Sequence, residues 1–445
     1  MRRRDVLGLL LPVLVAVPLH GQGLRNQISK LFIFGSGQDP LFLGGTADPS
    51  NPVTIQAHAG HFIPAAVNGN ATLISFITNA VSGNVANVPV SATSSGFTFR
   101  FEGGVPVPTS VSPGPVFAER AQTLGRGRIL AGANVNVLHF KTLRGVDLDD
   151  IRLNFTHVNA DFAGCDSIFG GDCSLMGIPN LENDVMQFRL SLKVDVTVTS
   201  FLLTYGLLDR VDIGVAVPVV STSMRGLSQA QVVPFGGPTA AHFFGGTPSS
   251  PELSASRFEE GSATGIGDLA VRVKINLARS DRTGFSILGD ARFPTGSEDD
   301  LLGSGHFAVR GLGILSARFG DFSPHANVGY LFRSGDLQNS AVLATVGFDH
   351  LLASWATVAA DLVSELQVGE SKLTLPGVVQ YDKPFRRTVT PSSIPDVRDD
   401  VVNASFGFRF TTGAGIMLLA NASWPLNRGG LRPNLLWTAG AEYSF

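Results

Sequence analysis

Several features that are common in helical membrane proteins and soluble enzymes are scarce or missing in this sequence of 445 residues. Beyond the N-terminal segment there is no apolar run of about 18 residues, which excludes a helical membrane protein. Charged residues make up only 16% of the chain, and neither a heptad repeat nor the composition of long helices is present. The net charge of −3 gives no indication of a nucleic-acid partner.

Cysteine is also scarce, since Cys165 and Cys173 are the only two in the chain. They lie close together in a segment rich in Gly and Asp. In an exported protein such a pair predicts one disulfide that closes a short loop, and the alternative is two free thiols in a flexible loop. Two more ligands at a suitable spacing are lacking, so we expect neither a metal site nor another cofactor.

The N-terminus has the order of features found in secretory signal peptides. Arg2, Arg3 and Arg4 precede an apolar run over 6–19, and the small residues Gly21 and Gly23 follow. The run is too short to cross a bilayer as a helix. We therefore predict a signal peptide over residues 1–23, with a retained interfacial helix as the alternative.

The strongest pattern is an alternation of apolar and polar residues with a period of two. Between Met186 and Val198 every even position is apolar, and most odd positions are polar. Similar alternation occurs over 211–219, 269–277 and 402–410. Successive side chains of a strand face opposite sides of the sheet, and the first run is long enough to cross a bilayer at a tilt. This pattern predicts strands with an apolar face toward lipid and a charged face toward an aqueous lumen.

The spacing of these runs predicts about twelve strands within residues 128–445. Short links alternate with longer ones, and the longest are at 141–183, 222–262 and 368–399. Short periplasmic turns and long outer loops are typical of outer-membrane barrels, and a sheet in lipid must close because an open edge leaves backbone groups unpaired. The predicted fold is all-β, a transmembrane antiparallel up-and-down β-barrel.

Residues 24–127 have a different character, rich in Gly, Pro, Ser, Asn and Thr and without a long alternating run. We expect a Gly/Pro-rich N-terminal extension that forms a plug or a periplasmic segment. The alternative is that it adds one strand pair and raises the number of strands to fourteen.

The final strand ends in aromatic residues. Trp437, Ala439, Ala441, Tyr443 and Phe445 alternate with their neighbours, and Phe445 is the last residue. Tyr443 and Phe445 resemble the assembly signal of bacterial outer-membrane proteins. The expected partners are therefore outer-membrane lipid, the barrel-assembly machinery and periplasmic chaperones.

No arrangement typical of catalysis is present. Gly35-Ser36-Gly37 lacks the strand–turn–helix context of a nucleophile elbow, and the histidines are scattered without a serine partner in a known motif. The glycine pairs at 265–267 and 303–305 open no helix and lack a following Lys-Ser or Lys-Thr. We predict that the chain is not an enzyme.

Charged residues inside strands are the candidates for a functional surface, because charge on the lipid face is costly. They are predicted to line the pore, where they either set solute preference or form ion pairs that fill a narrow barrel. The predicted pore-lining residues are Arg189, Lys193, Asp195, Asp268, Arg272, Lys274, Asp290, Arg292, Arg310, Arg318 and Arg409.

Several short motifs together resemble a known family. They are Thr264-Gly265-Ile266-Gly267-Asp268-Leu269, Phe293-Pro294-Thr295-Gly296, Leu302-Gly303-Ser304-Gly305 and the segment 324–330, Pro-His-Ala-Asn-Val-Gly-Tyr. Their order resembles outer-membrane transporters associated with meta-pathway phenol degradation, relatives of the hydrocarbon and long-chain fatty acid channels, over residues 185–445. The resemblance implies a barrel in the bacterial outer membrane that passes small hydrophobic or aromatic compounds.

Two functions follow from these observations. The first is a channel for passive passage of small solutes, with the loops 222–262 and 368–399 shaping access. The second is a structural or surface-binding barrel that transports nothing and works through its outer loops. The sequence identifies neither the solute nor the oligomeric state.

Overall fold

The computed structural model describes the barrel nearly completely and the N-terminal region in pieces. The described residues are 23–34, 41–42, 73, 76–81, 83–84, 99–102, 105–108, 118–156, 184–234, 244–247, 249–335, 338–373, 375, 377–381 and 386–445. Most of the predicted signal peptide and extension lie outside these residues, as do Cys165 and Cys173. The signal peptide and the disulfide therefore stay predictions.

Twelve antiparallel strands form the barrel wall. They are β1 (Ile129–Leu143), β2 (Asp184–Leu208), β3 (Val211–Pro234), β4 (Leu269–Arg279), β5 (Thr283–Phe293), β6 (Ala308–Ala317), β7 (Phe322–Arg333), β8 (Ala341–Ala353), β9 (Ala356–Gln367), β10 (Val401–Thr411), β11 (Ile416–Pro425) and β12 (Leu431–Ser444). Each pairs with the next along the chain, and β12 pairs with β1 to close the ring. The predicted all-β barrel of twelve strands is confirmed.

The remaining described elements are short, apart from one strand beside β3. The helix α1 spans Leu24–Lys30, and a 3-10 turn spans Leu148–Asp150. Small strand pairs join Ile33–Phe34 to Leu41–Phe42, Phe99–Glu102 to Val105–Pro108, Gly245–Thr247 to Ser250–Glu252, and Val379–Tyr381 to Arg387–Val389. Val146–Asp147 pairs with β1, and Ile151–Thr156 pairs with β2.

The strand Ser254–Ile266 corrects the predicted loop over 222–262. It pairs with residues 219–231 of β3, the half that lies farther from the short turns. β4 pairs with residues 211–216, the half that lies nearer to them. The two halves of β3 therefore pair with two consecutive strands of the chain, and Gly267 and Asp268 separate these strands. The outward positions of β3 in this half are small polar residues such as Ser221 and Ser223. The apolar alternation that predicts a strand is therefore missing there.

The hydrophobic face of β2 and β3 changes side along the strands, although the alternation is unbroken. In the outer half of β2 the even positions are buried and apolar, as at Leu192. In the half near the short turns the buried side chains include the polar Ser200 and Thr204, whereas Phe201 and Leu203 are exposed. Only the second half has the lipid-facing pattern of a membrane strand.

Exposed apolar side chains form a belt around the barrel. The belt covers the part of the strands that lies next to the short turns. Near those turns Trp355 stacks on Phe410 and Tyr443 stacks on Phe445. A closed barrel with such a belt is the architecture of a bacterial outer-membrane protein, in which the short turns face the periplasm.

Within the described residues, no helix combines the length and the apolar composition that membrane crossing requires.

Candidate functional site

The barrel interior holds six of the eleven predicted pore-lining residues. Their neighbours along each strand, such as Val271 and Val273, are exposed on the outer face. Five of the six side chains are buried, and Arg310 is 21% exposed. The six residues are Arg272, Lys274, Asp290, Arg292, Arg310 and Arg409.

Asp290 on β5 is shared by three guanidinium groups. Arg272 Nε lies 2.9 Å from Asp290 Oδ2, and Arg310 Nη2 donates to the same oxygen at 3.2 Å. Arg292 Nε donates to Asp290 Oδ1 at 3.3 Å. The register produces this cluster, because Arg272 and Arg310 lie directly opposite Asp290 on β4 and β6. Arg292 lies two residues along β5, on the same face.

Glu119 adds a second carboxylate to this cluster. Its Oε1 accepts a hydrogen bond from Arg272 Nη2 at 3.0 Å, and its Oε2 lies 3.1 Å from Lys274 Nζ. Glu119 precedes the first barrel strand, in the part of the chain that lacks periodicity. The sequence does not indicate a role for Glu119, because none of its neighbours shows that the segment lies against the strands.

Residues 118–124 lie inside the barrel and bond to the wall through their backbone. The Ala121 N–H donates to Ser316 Oγ at 2.9 Å, and the Ala121 carbonyl accepts from Asn276 Nδ2 at 2.8 Å. The Leu124 N–H donates to Asp212 Oδ2 at 3.0 Å. Three different strands therefore hold this segment, and backbone bonds of this kind carry no signal in the sequence.

Ion pairs fill the other side of the interior. Arg120 pairs with Asp349, and its Nε donates to Oδ1 at 3.1 Å. His325 Nε2 lies 2.6 Å from Asp361 Oδ1. Arg409 Nη1 donates to Glu442 Oε2 at 3.5 Å. Of the predicted pore-lining residues, only Arg409 belongs to this set of ion pairs.

A cavity of about 290 Å³ lies between the Asp290 cluster and the outer loops. Its floor includes Glu119, Arg272, Arg292 and Arg310, and its outer rim includes Lys372 and Arg398. The rest of the lining carries both polar and apolar side chains, and the polar ones include Asn327, Thr345 and Ser364. The apolar lining includes Phe76, Leu138, Leu312, Leu331, Leu343 and Leu436. The space can therefore hold an apolar group beside fixed positive charge.

The predicted position of Arg189, Lys193 and Asp195 in the pore is wrong. All three are exposed on the outer face of β2. Arg189 Nε lies 2.7 Å from Asp150, and Asp195 Oδ1 lies 2.5 Å from the ring of His139. In this half of the strand the apolar residues face inward against the N-terminal region, so the polar residues face the water outside the membrane.

The N-terminal pieces explain why the apolar face points inward. The buried Leu24, Ile28 and Leu31 belong to one hydrophobic cluster with the even positions of β2. Phe32 stacks on Phe188 with ring centroids 4.6 Å apart. Ser228 Oγ on β3 also donates to the carbonyl of Leu31 at 2.6 Å. Burial of each large apolar side chain contributes about 1.5–3 kcal/mol.

Asp268 is buried in the barrel wall, away from the Asp290 cluster. Its carboxylate holds the loop that contains Gly296 and Ser304. Its Oδ1 accepts from the Gly296 N–H at 3.1 Å, and its Oδ2 accepts from the Ser304 N–H at 2.8 Å and from Ser304 Oγ at 2.7 Å. Nearby, Thr295 Oγ1 donates to the Gly267 carbonyl at 2.7 Å. Three of the short motifs in the sequence thus meet in space, where they fix the interruption before β4.

Arg318 lies away from the cluster. It follows β6 at the short-turn end of the barrel, and its Nε donates to the Gly320 carbonyl at 3.2 Å. This contact places Arg318 at the periplasmic rim of the barrel.

Comparisons with known proteins address the family and the fold. A family model described as “Putative MetA-pathway of phenol degradation” matches residues 181–430. Comparison with curated protein sequences gave no match. An outer membrane channel from Pseudomonas putida F1 shares 12% identity over 73% of this chain and 98% of its own, with a TM-score of 0.40.

Two other solved structures are similar at the same level. A FadL homologue from Pseudomonas aeruginosa shares 12% identity over 80% of this chain and 97% of its own, with a TM-score of 0.32. The toluene transporter TodX of Pseudomonas putida shares 9% identity over 72% of this chain and 89% of its own, with a TM-score of 0.31.

Proposed function

Because the chain belongs to this phenol-degradation family, whose model covers residues 181–430, we propose that it is an outer-membrane channel for small hydrophobic or aromatic solutes. The observation that supports this function best is the cavity among Leu312, Leu331, Leu343 and Leu436. These leucine side chains give an apolar solute a surface to contact inside a lining that also contains many polar side chains.

The proposed route begins between the outer loops and reaches the cavity. Lys372 and Arg398 lie on the loop that follows β9, and Phe76 belongs to the N-terminal region. We propose that residues 24–127 act as the predicted plug. The hydrogen bonds of Ala121 and Leu124 to the wall support this role. Passage then requires residues 118–124 to move, because they lie between the cavity and the short turns.

The same hydrogen bonds favour the second function, a barrel that transports nothing. If the plug never moves, the cavity is a closed pocket and the outer loops are the working part. The two functions differ in whether solute crosses the outer membrane.

The test is uptake of radiolabelled toluene at low concentration by Gram-negative cells that carry the full chain in the outer membrane. Cells with the empty vector are the reference, and surface-exposed protein is quantified in both. Faster initial uptake in proportion to the amount of folded protein supports the channel. Uptake equal to that of the vector-only cells, with folded protein present, supports the barrel that transports nothing.

A further inference from the structure

The Asp290 cluster contains more positive than negative charge. The described ion pairs join four cations, Arg272, Lys274, Arg292 and Arg310, to two carboxylates, Glu119 and Asp290, and Asp212 interacts electrostatically with Lys274. One carboxylate offers about four lone-pair positions, whereas each guanidinium has five N–H donors. Asp290 alone therefore cannot satisfy the three guanidinium groups around it.

Arg310 shows this imbalance most directly. Its Nη2 donates to Asp290, but its Nε is buried and has no hydrogen-bond partner among the described residues. The Arg310 side chain lines the cavity and is the most exposed of the three arginines. The exposed part of the guanidinium lines the cavity, and it can donate there to a ligand oxygen.

The rim holds charges of both signs, since Arg398 pairs with Asp400 and Asp399 pairs with Arg144, and Lys372 adds a cation that has no ion-pair partner among the described residues. Lys372 is exposed where the cavity meets the outer loops. Of the cavity-lining residues described, Arg272, Arg292, Arg310, Arg333, Lys372 and Arg398 are cationic, against the three carboxylates Glu119, Glu365 and Asp399. A confined space lined by one excess sign of charge attracts ions of the opposite sign.

We infer that this cavity binds a small amphiphilic anion, an organic carboxylate whose charged group lies on Arg310 and Arg292 and whose apolar body lies against Leu312 and Leu331. Arginine suits this task because its planar N–H donors match the two oxygens of a carboxylate. The apolar wall distinguishes such a ligand from a bare inorganic anion. The inference deepens the proposed channel function, since it names the class of solute that the lumen holds.

The experiment uses the full chain in lipid nanodiscs and isothermal titration calorimetry, with empty nanodiscs as the blank. The probes are phenylacetate, 2-phenylethanol and inorganic phosphate. We expect phenylacetate to bind roughly tenfold or more tightly than 2-phenylethanol, because a hydrogen bond to a charged group has about that effect. Equal affinity of phenylacetate and 2-phenylethanol would overturn the inference. Phosphate binding as tight as that of phenylacetate would overturn the assignment to amphiphiles.

Variants locate the site. Arg310→Gln should lower the affinity for phenylacetate about tenfold, and Arg310→Lys should retain part of it. Arg318→Gln removes the same charge at the periplasmic rim and should leave the affinity unchanged. Equal affinities in Arg310→Gln and wild type, both with the heat-modifiable mobility of a folded barrel, would refute the site.

The site and the channel can fail separately. Phenylacetate binding without toluene uptake by the wild type would refute the channel and keep the site. Toluene uptake with no preference for phenylacetate over 2-phenylethanol would refute the site and keep the channel.

Discussion

Leu192 and Leu203 lie on the same strand, β2, and face opposite sides of the barrel wall. Leu192 is 1% exposed and packs in the cluster that contains the N-terminal residues, whereas Leu203 is 49% exposed on the outer belt. The same residue type therefore has two functions on one strand. Near the short turns it contacts lipid, and beyond the membrane it supports the N-terminal region.

This difference predicts opposite effects of one substitution. Leu203→Arg places a charge on the lipid face and should cost about 2–4 kcal/mol if it lies near the bilayer middle, so less heat-modifiable barrel should reach the outer membrane. Leu192→Arg should leave membrane insertion largely intact but loosen the N-terminal region. Gel mobility of unheated samples measures the first effect, and limited proteolysis of whole cells measures the second. Equal loss of assembled barrel in both variants would contradict the assigned faces.

The Asp290 carboxylate should be important for stability, because three guanidinium groups share it. Asp290→Asn leaves those charges without their common partner, and breaking such a buried arrangement costs about 3–5 kcal/mol. The temperature at which the folded band disappears on gels should fall. Asp281→Asn, in the exposed turn that precedes β5, is the matched control and should not change it. An unchanged temperature for Asp290→Asn would show that the cluster contributes nothing to stability.

Residues 118–124 should become more mobile when a bond to the wall is removed. Asn276→Ala removes the donor to the Ala121 carbonyl, a bond expected to contribute about 1 kcal/mol. Single-channel recordings in planar bilayers should then show more frequent openings than the wild type. Leu277→Ala, whose side chain lies on the outer belt, should behave like the wild type. Identical recordings from all three proteins would argue against a plug held by this bond.

Closure of the barrel should depend on Phe445. Its N–H donates to the Ile129 carbonyl at 2.9 Å, and its carbonyl accepts from the Ile129 N–H at 2.8 Å, which completes the seam between the first and last strands. Deletion of Phe445 should lower the folded fraction in outer membranes. Phe319→Ala removes another exposed aromatic side chain at the same end and serves as the control. The prediction fails if the deletion and the control yield equal amounts of folded protein.

The sequence predicted the barrel well because strand alternation and turn residues are local signals. The sequence predicts the first barrel strand near 128–140 and the structure has Ile129–Leu143, but β3 runs on to Pro234 through the segment predicted as a loop. Family recognition was confirmed by the match over residues 181–430. The motifs around Asp268 and Ser304 were noted as separate pieces, and only the fold shows that they meet.

The facing of 186–198 could not be predicted from alternation alone. A period of two separates the two faces of a strand but does not say which one meets lipid. The answer depends on Leu31, Phe32 and their neighbours, which cover the apolar face from the interior. The role of Glu119 could not be predicted for a related reason. Its partners Arg272 and Lys274 are distant in sequence, and its own segment has no alternation of apolar and polar residues.

The most direct test of the central claim is toluene uptake by cells that carry Leu312→Trp or Leu315→Trp. Leu312 lines the cavity, whereas Leu315 is exposed on the outer belt of the same strand, β6. If solute passes through the cavity, Leu312→Trp should reduce uptake toward the vector-only rate, and Leu315→Trp should retain the wild-type rate per folded barrel. Wild-type uptake by both variants, at equal amounts of folded protein, would contradict passage through the cavity.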